Sequence, residues 1–426
     1  MKVLVIMLYW YPYEGPLMPI YGTVFRELMR KGAEITIVTS FPHYRKGSPE
    51  TWHGYPNRLF EVSRWEGAKI IRSYVFAPVF DNEKLALVYR VLNFISFNIS
   101  SLFVSIFLTG KADLIFAPSS PPLSNGIISY LVSLIKQCPM VYNAQDLYPD
   151  IAVETNLIKN SWLIGLLKMI ERTVYRVSTR ILTISDGMRD LISKRGVPPE
   201  KIDVIENFID PEFITPGSRD NAFSRAYGLT DAFVVMYAGS IGIPHGVEVL
   251  VSAAEILRNE PGFMFCMVAR GEKKGAVELL AREKGLRNII FIPPQPEETA
   301  SLVWASASVG VATYRKGLAH YSLPSKLLAV MCASRPVIVS ADGDSQTAAI
   351  VRSSQCGLCV EPESPEQLAA AIRLLKGDPK RMDLMAKNGR EYVLKNLNRG
   401  SITERYQSFF TSTSNWKCGG VGWKKC

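Results

Sequence analysis

The sequence predicts an α/β protein made of two doubly wound, Rossmann-like domains of similar size. Short, continuous apolar runs alternate with helical patterns along most of the 426 residues, which is typical of parallel sheets covered by helices on both faces. The first half begins with the buried-strand pattern Lys2–Leu8, and the second half repeats the scheme from Phe233–Ala238. Between them, Pro211–Leu229 shows no clear period and carries turn-forming residues, so it is the predicted linker.

Each domain is predicted from its own series of elements. Further strands of the first half are expected at Glu34–Thr39, Ala68–Ser73, Asp113–Ala117, Met140–Ala144, Arg180–Ser185 and Ile202–Ile205. Further strands of the second half are expected at Met264–Val268, Ile289–Ile292, Val309–Ala312, Val337–Val339 and Leu358–Val360. We therefore expect a first domain over 1–210, a second over 225–395, a helix over 396–410 and a tail over 411–426.

Composition and charge limit the class of protein. Apolar residues make up 47% and charged residues 21% of the chain, as in ordinary globular domains. The 49 Lys and Arg residues exceed the 39 Asp and Glu residues, which gives a net charge of +10 and indicates an anionic partner: nucleic acid, an acidic membrane surface or a phosphate-bearing substrate. No recognised nucleic-acid motif accompanies this charge. Seven cysteines are too few for a disulfide scaffold, and Cys356 and Cys359 lack the second pair typical of a metal site.

Two helical segments suggest contact with a membrane. Val91–Leu108 contains no charged residue and reaches the length of about 18 residues that a span requires. Its six polar residues make a poor span and favour a buried or interfacial helix. Trp162–Val177 combines basic and apolar residues, so it predicts a membrane-facing surface, with an ordinary solvated helix as the alternative. The apolar run Val3–Leu8 is too short for a secretory signal, so we expect a cytoplasmic protein.

Two glycine-containing loops that follow predicted strands are candidate phosphate sites. Gly15 follows the first strand, and the loop Gly239–Gly246 follows Phe233–Ala238. Glycine allows backbone N–H groups to approach a phosphate, and the N-terminus of the next helix adds a positive dipole end. A plain turn is the alternative for Gly15. The second loop matches neither the P-loop nor the dinucleotide fingerprint, and His245 is expected either to donate to a diphosphate or to cap the loop.

Two charged residues are the candidates for catalysis. Lys326 lies in the first turn of the helix that Ser325 opens, where a cation is unfavourable unless an anion binds beside it. Asp146 follows the strand Met140–Ala144, at the sheet edge where parallel sheets present ligand-binding groups. Asp146 can act as a base or fix a sugar hydroxyl, and a helix N-cap is the alternative.

Several segments together resemble glycosyltransferase family 4. Those that resemble its donor domain are Tyr237–Gly242, Pro324–Leu328, Arg335–Ile338 and Cys356–Leu358. Those that resemble its branch of N-acetyl-fucosaminyl-transferase-like enzymes of bacterial surface polysaccharide assembly are Phe41–Tyr44, Pro118–Pro122 and Asp146–Asp150. Glu206–Asp210 resembles the segment that closes the family's first domain. The resemblance runs in order over roughly residues 1–410.

The resemblance implies a GT-B fold, in which two Rossmann-like domains face a central cleft. It implies a retaining glycosyltransferase without metal or cofactor, which moves a sugar from a nucleotide-sugar, expected to be a UDP-sugar, to a lipid-linked saccharide. It also implies peripheral association with the anionic inner face of the cell membrane, and a final helix, here Ile402–Phe410, that returns to the first domain. A catalytically inactive GT-B partner of a membrane assembly complex and a nucleotide-sugar 2-epimerase remain alternatives.

Site residues carried over from the resemblance join those found from the residues alone. Asp146 and Lys326 are predicted to be catalytic. The predicted donor-binding residues are Gly15, Gly239, Gly242, His245, Ser325, Lys326 and Gln346, and the predicted acceptor-binding residues are Glu14 and Asp150. The chain departs from the family pattern at Tyr321 and Ala329, where many members carry glutamates, and at Gln346, where a carboxylate is common. The ribose contact is therefore unassigned at Ala329, and modest donor affinity is expected.

Overall fold

The computed structural model describes residues 1–12, 17–43, 58–77, 86–155, 157–321 and 325–416. The chain forms two compact units: one contains Met1–Ile205 and the segment that begins at Thr403, and the other contains Glu206–Ile402. The predicted linker Pro211–Leu229 therefore belongs to the second unit. This segment contains a short helix, which Asn221 caps by accepting hydrogen bonds from the Phe223 and Ser224 N–H groups.

The first unit is built on a sheet with strand order β3-β4-β2-β1-β5-β6-β7-β8. Its strands are β1 (Lys2–Ile6), β2 (Glu34–Ser40), β3 (Phe60–Trp65), β4 (Ala68–Ser73), β5 (Leu114–Pro118), β6 (Met140–Ala144), β7 (Arg180–Thr183) and β8 (Ile202–Val204). Neighbouring strands are parallel except for β3 and β4, which are antiparallel. The sequence did not predict β3, because this edge strand is exposed or half-buried throughout and has no continuous apolar run.

Helices cover the first sheet. They are α1 (Met18–Arg30), α2 (Ala86–Phe107), α3 (Ser124–Lys136), α4 (Asp150–Glu154), α5 (Ser161–Val177) and α6 (Asp186–Ser193). Helix α2 packs against α3 and against strands β2 and β4, and α3 also contacts α5. Over Val88–Phe107, α2 is long and apolar enough to cross a membrane by length and composition. Only 22% of that window is buried inside the protein.

The second unit is built on a fully parallel sheet with strand order β11-β10-β9-β12-β13-β14. Its strands are β9 (Phe233–Ser240), β10 (Phe263–Arg270), β11 (Ile289–Ile292), β12 (Val309–Thr313), β13 (Val337–Ser340) and β14 (Gly357–Val360). Its helices are α7 (Ala222–Ala226), α8 (Glu248–Ile256), α9 (Lys274–Glu283), α10 (Ala300–Ala305), α11 (Ser325–Cys332), α12 (Gln346–Ser354), α13 (Pro365–Gly377) and α14 (Pro379–Asn396). The sequence did not predict α14.

Close packing of α11 on β12 fixes the start of that helix relative to the sheet. A Cβ atom at Gly310 of β12 would lie 2.2 Å from Val330 Cγ2 of α11, which no side chain tolerates. Glycine at this position therefore lets the helix approach the strand closely. Because Lys326 lies near the start of α11, this contact also helps to place its backbone relative to the sheet.

The last helix, α15 (Arg399–Ser414), begins in the second unit and belongs to the first unit from Thr403. It continues past residue 410, where the tail was expected to begin. The rings of Tyr406 and Phe410 lie edge-on or tilted against Phe116 of β5, at centroid distances of 6.5 and 5.1 Å. This end of α15 is therefore part of the hydrophobic core of the first unit.

Candidate functional sites

The loop after β9 is the best-defined candidate site in the second unit. Strand β9 lies between β10 and β12, where the connections leave in opposite directions, and ligands of such sheets bind at this switch point. Gly239 has φ of +142°, and a Cβ atom there would lie 2.6 Å from Lys326 Cε. Glycine is favoured at this φ, and its lack of a side chain lets Lys326 lie against the loop, which brings two predicted donor-binding residues together.

Lys326 places a poorly solvated cation beside this loop. Its Nζ lies 5.1 Å from the centre of the Tyr237 ring, and burial lowers the pKa of its ammonium to about 8. Across the described ranges, no carboxylate forms an ion pair with it. A desolvated cation without an acidic partner gains most from a bound anion, so Lys326 is a candidate phosphate ligand. Tyr237 opens the motif Tyr237–Gly242, but it was not predicted to be a site residue.

His245 closes the same loop and remains neutral. Its Nδ1 accepts a hydrogen bond from the Gly242 N–H at 3.1 Å. Burial, together with the nearby charge of Lys326, lowers the pKa of its imidazole to about 3. Since Nδ1 accepts, the proton of the neutral ring lies on Nε2, which is left as a donor. His245 therefore caps the loop, which is one of its two predicted roles. Its Nε2–H remains able to donate to a diphosphate, which is the other.

Ser325 and Gln346 are the first residues of two helices, α11 and α12, which begin at the carboxyl edge of the second sheet. Ser325 is the exposed first residue of α11. Gln346 is the half-buried first residue of α12, which Ser345 caps by accepting a hydrogen bond from the Ala348 N–H at 3.3 Å. Next to Gln346, the Thr347 hydroxyl is buried without a hydrogen-bond partner in the described residues. Gln346 and Thr347 are therefore the polar groups that α12 offers at this edge.

The departures from the family pattern are also clear in the second unit. Ala329 lies inside α11 with only 6% of its surface exposed, so it offers a methyl group at the position where the family pattern implied a glutamate. Tyr321 is the last described residue before a gap. Residues 322–324, which include Pro324 of the predicted motif, lie outside the described residues. The structure thus contains no carboxylate at either family position.

Asp146 lies in the first unit, in the loop after β6. Within the described residues its carboxylate accepts no hydrogen bond, and helix α4 begins after Pro149 without a side-chain cap, so Asp146 is not a helix N-cap. The residue keeps an exposed surface, yet desolvation by the surrounding protein raises the pKa of its carboxyl to about 6. A carboxyl with this pKa changes charge close to neutral pH, as a general base does.

A buried network supports the residue before Asp146. The Gln145 side-chain amide donates to Asn143 Oδ1 at 2.7 Å and to the Tyr21 hydroxyl at 3.1 Å. The Tyr21 hydroxyl in turn donates to Asn143 Oδ1 at 3.1 Å. All three side chains are buried, so the backbone at Gln145 is held in place and the loop position of Asp146 is defined.

Asp150 takes part in an ion cluster that the sequence did not indicate. Arg195, after α6, binds the carboxylates of Asp150 in α4 and Glu171 in α5. Glu171 Oε1 also accepts a hydrogen bond from the Tyr175 hydroxyl at 3.0 Å. Burial, with smaller opposing effects of Arg195 and Tyr175, raises the pKa of Glu171 to about 7. Asp150 therefore anchors α4, and its predicted acceptor contact stays a prediction.

The remaining predicted positions carry little structural information. Glu14 and Gly15 lie outside the described residues. Cys356 is buried and Cys359 is exposed, and burial raises the pKa of the Cys356 thiol to about 11, so its thiolate is disfavoured. Among the residues that the structure describes, no group of three or more His, Cys, Asp or Glu side chains is placed to hold a metal ion.

Comparisons with known proteins match both units. The family model described as "Glycosyl transferase 4-like domain" matches residues 22–207, and the model described as "Glycosyl transferases group 1" matches residues 232–378. The chain is 25% identical over 414 residues to the putative colanic acid biosynthesis glycosyl transferase WcaI of Escherichia coli (strain K12), which covers 95% of this chain and 98% of the relative.

Solved structures share the fold over nearly the whole length. Sucrose-phosphate synthase from Thermosynechococcus elongatus has a TM-score of 0.71 at 16% identity and covers 96% of this chain and 98% of that chain. Anabaena HepE in complex with UDP has a TM-score of 0.68 at 15% identity and covers 97% and 100%. With both units matched by family models and this GT-B fold, the chain belongs to glycosyltransferase family 4 and is a glycosyltransferase.

Proposed function

We propose that this glycosyltransferase moves a sugar from a nucleoside diphosphate donor, expected to be a UDP-sugar, to a lipid-linked saccharide during assembly of a cell-surface polysaccharide. The observation that carries the proposal is the desolvated Lys326, which has no acidic partner in the described residues and lies against Gly239. The printed name of the E. coli relative, which refers to colanic acid biosynthesis, supports the polysaccharide assignment. The UDP complex of HepE supports the choice of nucleotide.

The donor side needs groups that stabilise a leaving diphosphate. When the sugar–phosphate bond breaks, negative charge develops on the diphosphate, and preorganised cations and N–H donors stabilise it best. The loop Gly239–Gly246 contains no Lys or Arg, so the cation comes from Lys326 in another part of the unit. We assign Lys326 and the Nε2–H of His245 to the diphosphate, and the amide of Gln346 to a ribose hydroxyl.

The acceptor side must lose one proton as the new bond forms. The acceptor hydroxyl oxygen bonds to the anomeric carbon, and the bond from that carbon to the diphosphate oxygen breaks, with its electron pair going to the diphosphate. In the retaining route that we propose, the departing phosphate takes the hydroxyl proton, and Asp146 orients a sugar hydroxyl. In an inverting route, Asp146 itself takes the proton as general base.

A two-stage experiment tests this function. The full chain is first titrated by calorimetry with UDP, GDP and uridine, and then incubated with UDP-sugars in the presence and absence of lipid-linked saccharides. We expect UDP to bind more tightly than uridine, and UDP release to require the acceptor. Acceptor-independent release of UDP with a changed sugar would indicate an epimerase instead. Failure to bind any nucleotide would support the inactive-partner alternative.

A further inference from the structure

The polar side chains of helix α2 face the protein, together with the buried Phe97 and Val104, and most of its other apolar side chains face solvent. Ser101 and Ser105 are fully buried, the Ser96 hydroxyl accepts a hydrogen bond from the Phe76 N–H at 2.8 Å, and the Ser100 hydroxyl donates to the Tyr74 carbonyl at 2.5 Å. The exposed side chains are Val88, Val91, Leu92, Ile95, Ile99, Phe103 and Phe107. This is the reverse of a helix that faces water.

The exposed side chains form one continuous stripe. They recur every three or four residues, which places them on one face of the helix, and from Val88 to Phe107 that face is about 30 Å long. The opposite face packs against α3, β2 and β4. Helix α2 therefore exposes its stripe along one side while its other side packs against the domain. This arrangement suits a helix that lies in a membrane interface rather than one that crosses the bilayer.

Two neighbouring helices also expose large apolar side chains. Helix α3, which contacts both α2 and α5, exposes Leu134 and Ile135 by 42% and 57%. Helix α5 exposes Trp162 by 76% and Met169 by 58%. We call the exposed side of α2, α3 and α5 the three-helix face. An apolar surface spread over three helices exceeds the scattered apolar residues of an ordinary protein surface.

The charges on these helices have one sign. Their single carboxylate, Glu171, has a side chain only 3% exposed and is bound by Arg195. Their cations are Arg90, Lys136, Lys168, Arg172 and Arg176, of which all but Lys136 are exposed. Exposed cations on the same helices as exposed apolar side chains are complementary to anionic lipid. A symmetric pair of such faces would bring like charges together, which disfavours a second copy of this chain as the occupant.

We propose that the three-helix face binds an anionic lipid bilayer, with α2 lying in the plane of the interface and its stripe among the acyl chains. The purpose of this surface rests on the proposed transfer to a lipid-linked saccharide. Vesicle binding, however, is measured without donor or acceptor, so either proposal can fail while the other stands.

The apolar contribution is tested with a matched pair of double variants. Ile99→Ser with Phe103→Ser removes residues of the stripe that are 55% and 58% exposed, and Leu279→Ser with Leu384→Ser removes residues of the second unit with the same exposures. We expect the first pair to lower partitioning onto phosphatidylcholine–phosphatidylglycerol vesicles by about 30-fold, and the second pair to leave it unchanged. Equal partitioning of both pairs, with unchanged thermal unfolding, would overturn the proposal.

The charge contribution is tested separately. Lys168→Gln with Arg172→Gln removes two exposed cations of α5, and Lys380→Gln with Arg381→Gln removes two exposed cations of α14. At about 1 kcal/mol per charge near an anionic surface, the first pair is expected to weaken binding by about 30-fold and the second to weaken it far less. Salt should also weaken wild-type binding. Failure of wild-type protein to bind these vesicles, or a dimer in light scattering that Phe103→Ser dissociates, would refute the bilayer as occupant.

Discussion

At the scale of single residues, Lys326 has the clearest role that can be tested. A charged contact with phosphate contributes about 1.5–3 kcal/mol, so Lys326→Ala should weaken UDP binding at least tenfold and leave uridine binding nearly unchanged. Calorimetry of both ligands measures the difference, and Lys395→Ala, an exposed lysine of α14, is the control. Equal losses for UDP and uridine would remove Lys326 from the phosphate role.

The lowered pKa of Lys326 predicts a pH dependence of donor binding. The free protein holds this lysine protonated below about pH 8, and a bound diphosphate favours the protonated form. UDP affinity should therefore be highest below about pH 8 and fall as the pH rises through this value. His245 adds no slope there, since its pKa is lowered to about 3. Calorimetry across this range should give a flat profile for uridine and for Lys326→Ala, and a slope that persists in the variant would contradict the assignment.

The role proposed for Asp146 predicts that its substitution changes the rate of transfer but not the affinity for UDP. Asp146→Asn should leave UDP affinity unchanged, because the residue lies in the first unit. It should lower the rate of transfer sharply, because a neutral amide holds a sugar hydroxyl more weakly than a carboxylate does. In the inverting route, where the carboxylate is the base, the loss would be a factor of about 100 or more. The wild-type rate should rise with pH through about 6, as the carboxyl ionises. The pH profile of the variant should lose this step. A transfer rate that the substitution does not change would leave Asp146 with a structural role.

At the scale of elements, the buried strands could be predicted from the sequence, whereas the edge strand β3 and the helix α14 could not. Strands such as β5, which is buried throughout, appear as continuous apolar runs. Helix α14 does not, because its buried residues Met385, Ala386, Gly389 and Val393 are few, include two small ones and lie among charged residues. The same limit applies to the site. Gly239, His245 and Lys326 belong to motifs, whereas the contacts of Arg195 join residues 45 and 24 positions away that no local pattern connects.

The Arg195 cluster predicts a stability effect that depends on pH. Arg195→Met leaves the buried Glu171 without its counter-charge, and removal of one member of a buried ion pair costs about 3–5 kcal/mol. Since the pKa of Glu171 is raised to about 7, its proton returns as the pH falls below that value. The loss of unfolding free energy should therefore be largest above about pH 7 and smaller in acid.

Urea denaturation on both sides of this pH measures the effect. Arg225→Met is the control, because its pair with Asp220 is exposed and exposed pairs contribute little. A loss of stability that is the same at both pH values would show that Glu171 does not titrate in the folded protein. A loss no greater than that of the control would show that the cluster does not anchor α4 or α5.

At the scale of the whole molecule, the two-domain plan could be predicted because the strand–helix alternation occurs twice. The extents of the two domains could not be predicted from local patterns. The first unit takes its final helical segment from Thr403 onward. The family resemblance implied that Ile402–Phe410 returns to the first domain, but no local pattern in the sequence shows which sheet a helix covers. That choice depends on partners such as Phe116, which lies far away in the chain and faces the rings of Tyr406 and Phe410.

This arrangement predicts that a residue near the C-terminus stabilises the N-terminal sheet. Phe410 is fully buried, and replacing such a side chain by alanine costs about 3–5 kcal/mol. Hydrogen exchange can report on each unit separately, through the amides of β5 in the first unit and of β9 in the second. Phe410→Ala should speed exchange in β5, because the free energy of opening falls there, and leave exchange in β9 unchanged. Leu384→Ala, at a residue 58% exposed, should change neither. If Phe410→Ala instead speeds exchange in β9 and leaves β5 protected, the C-terminal helix stabilises the second unit and its assignment to the first is wrong.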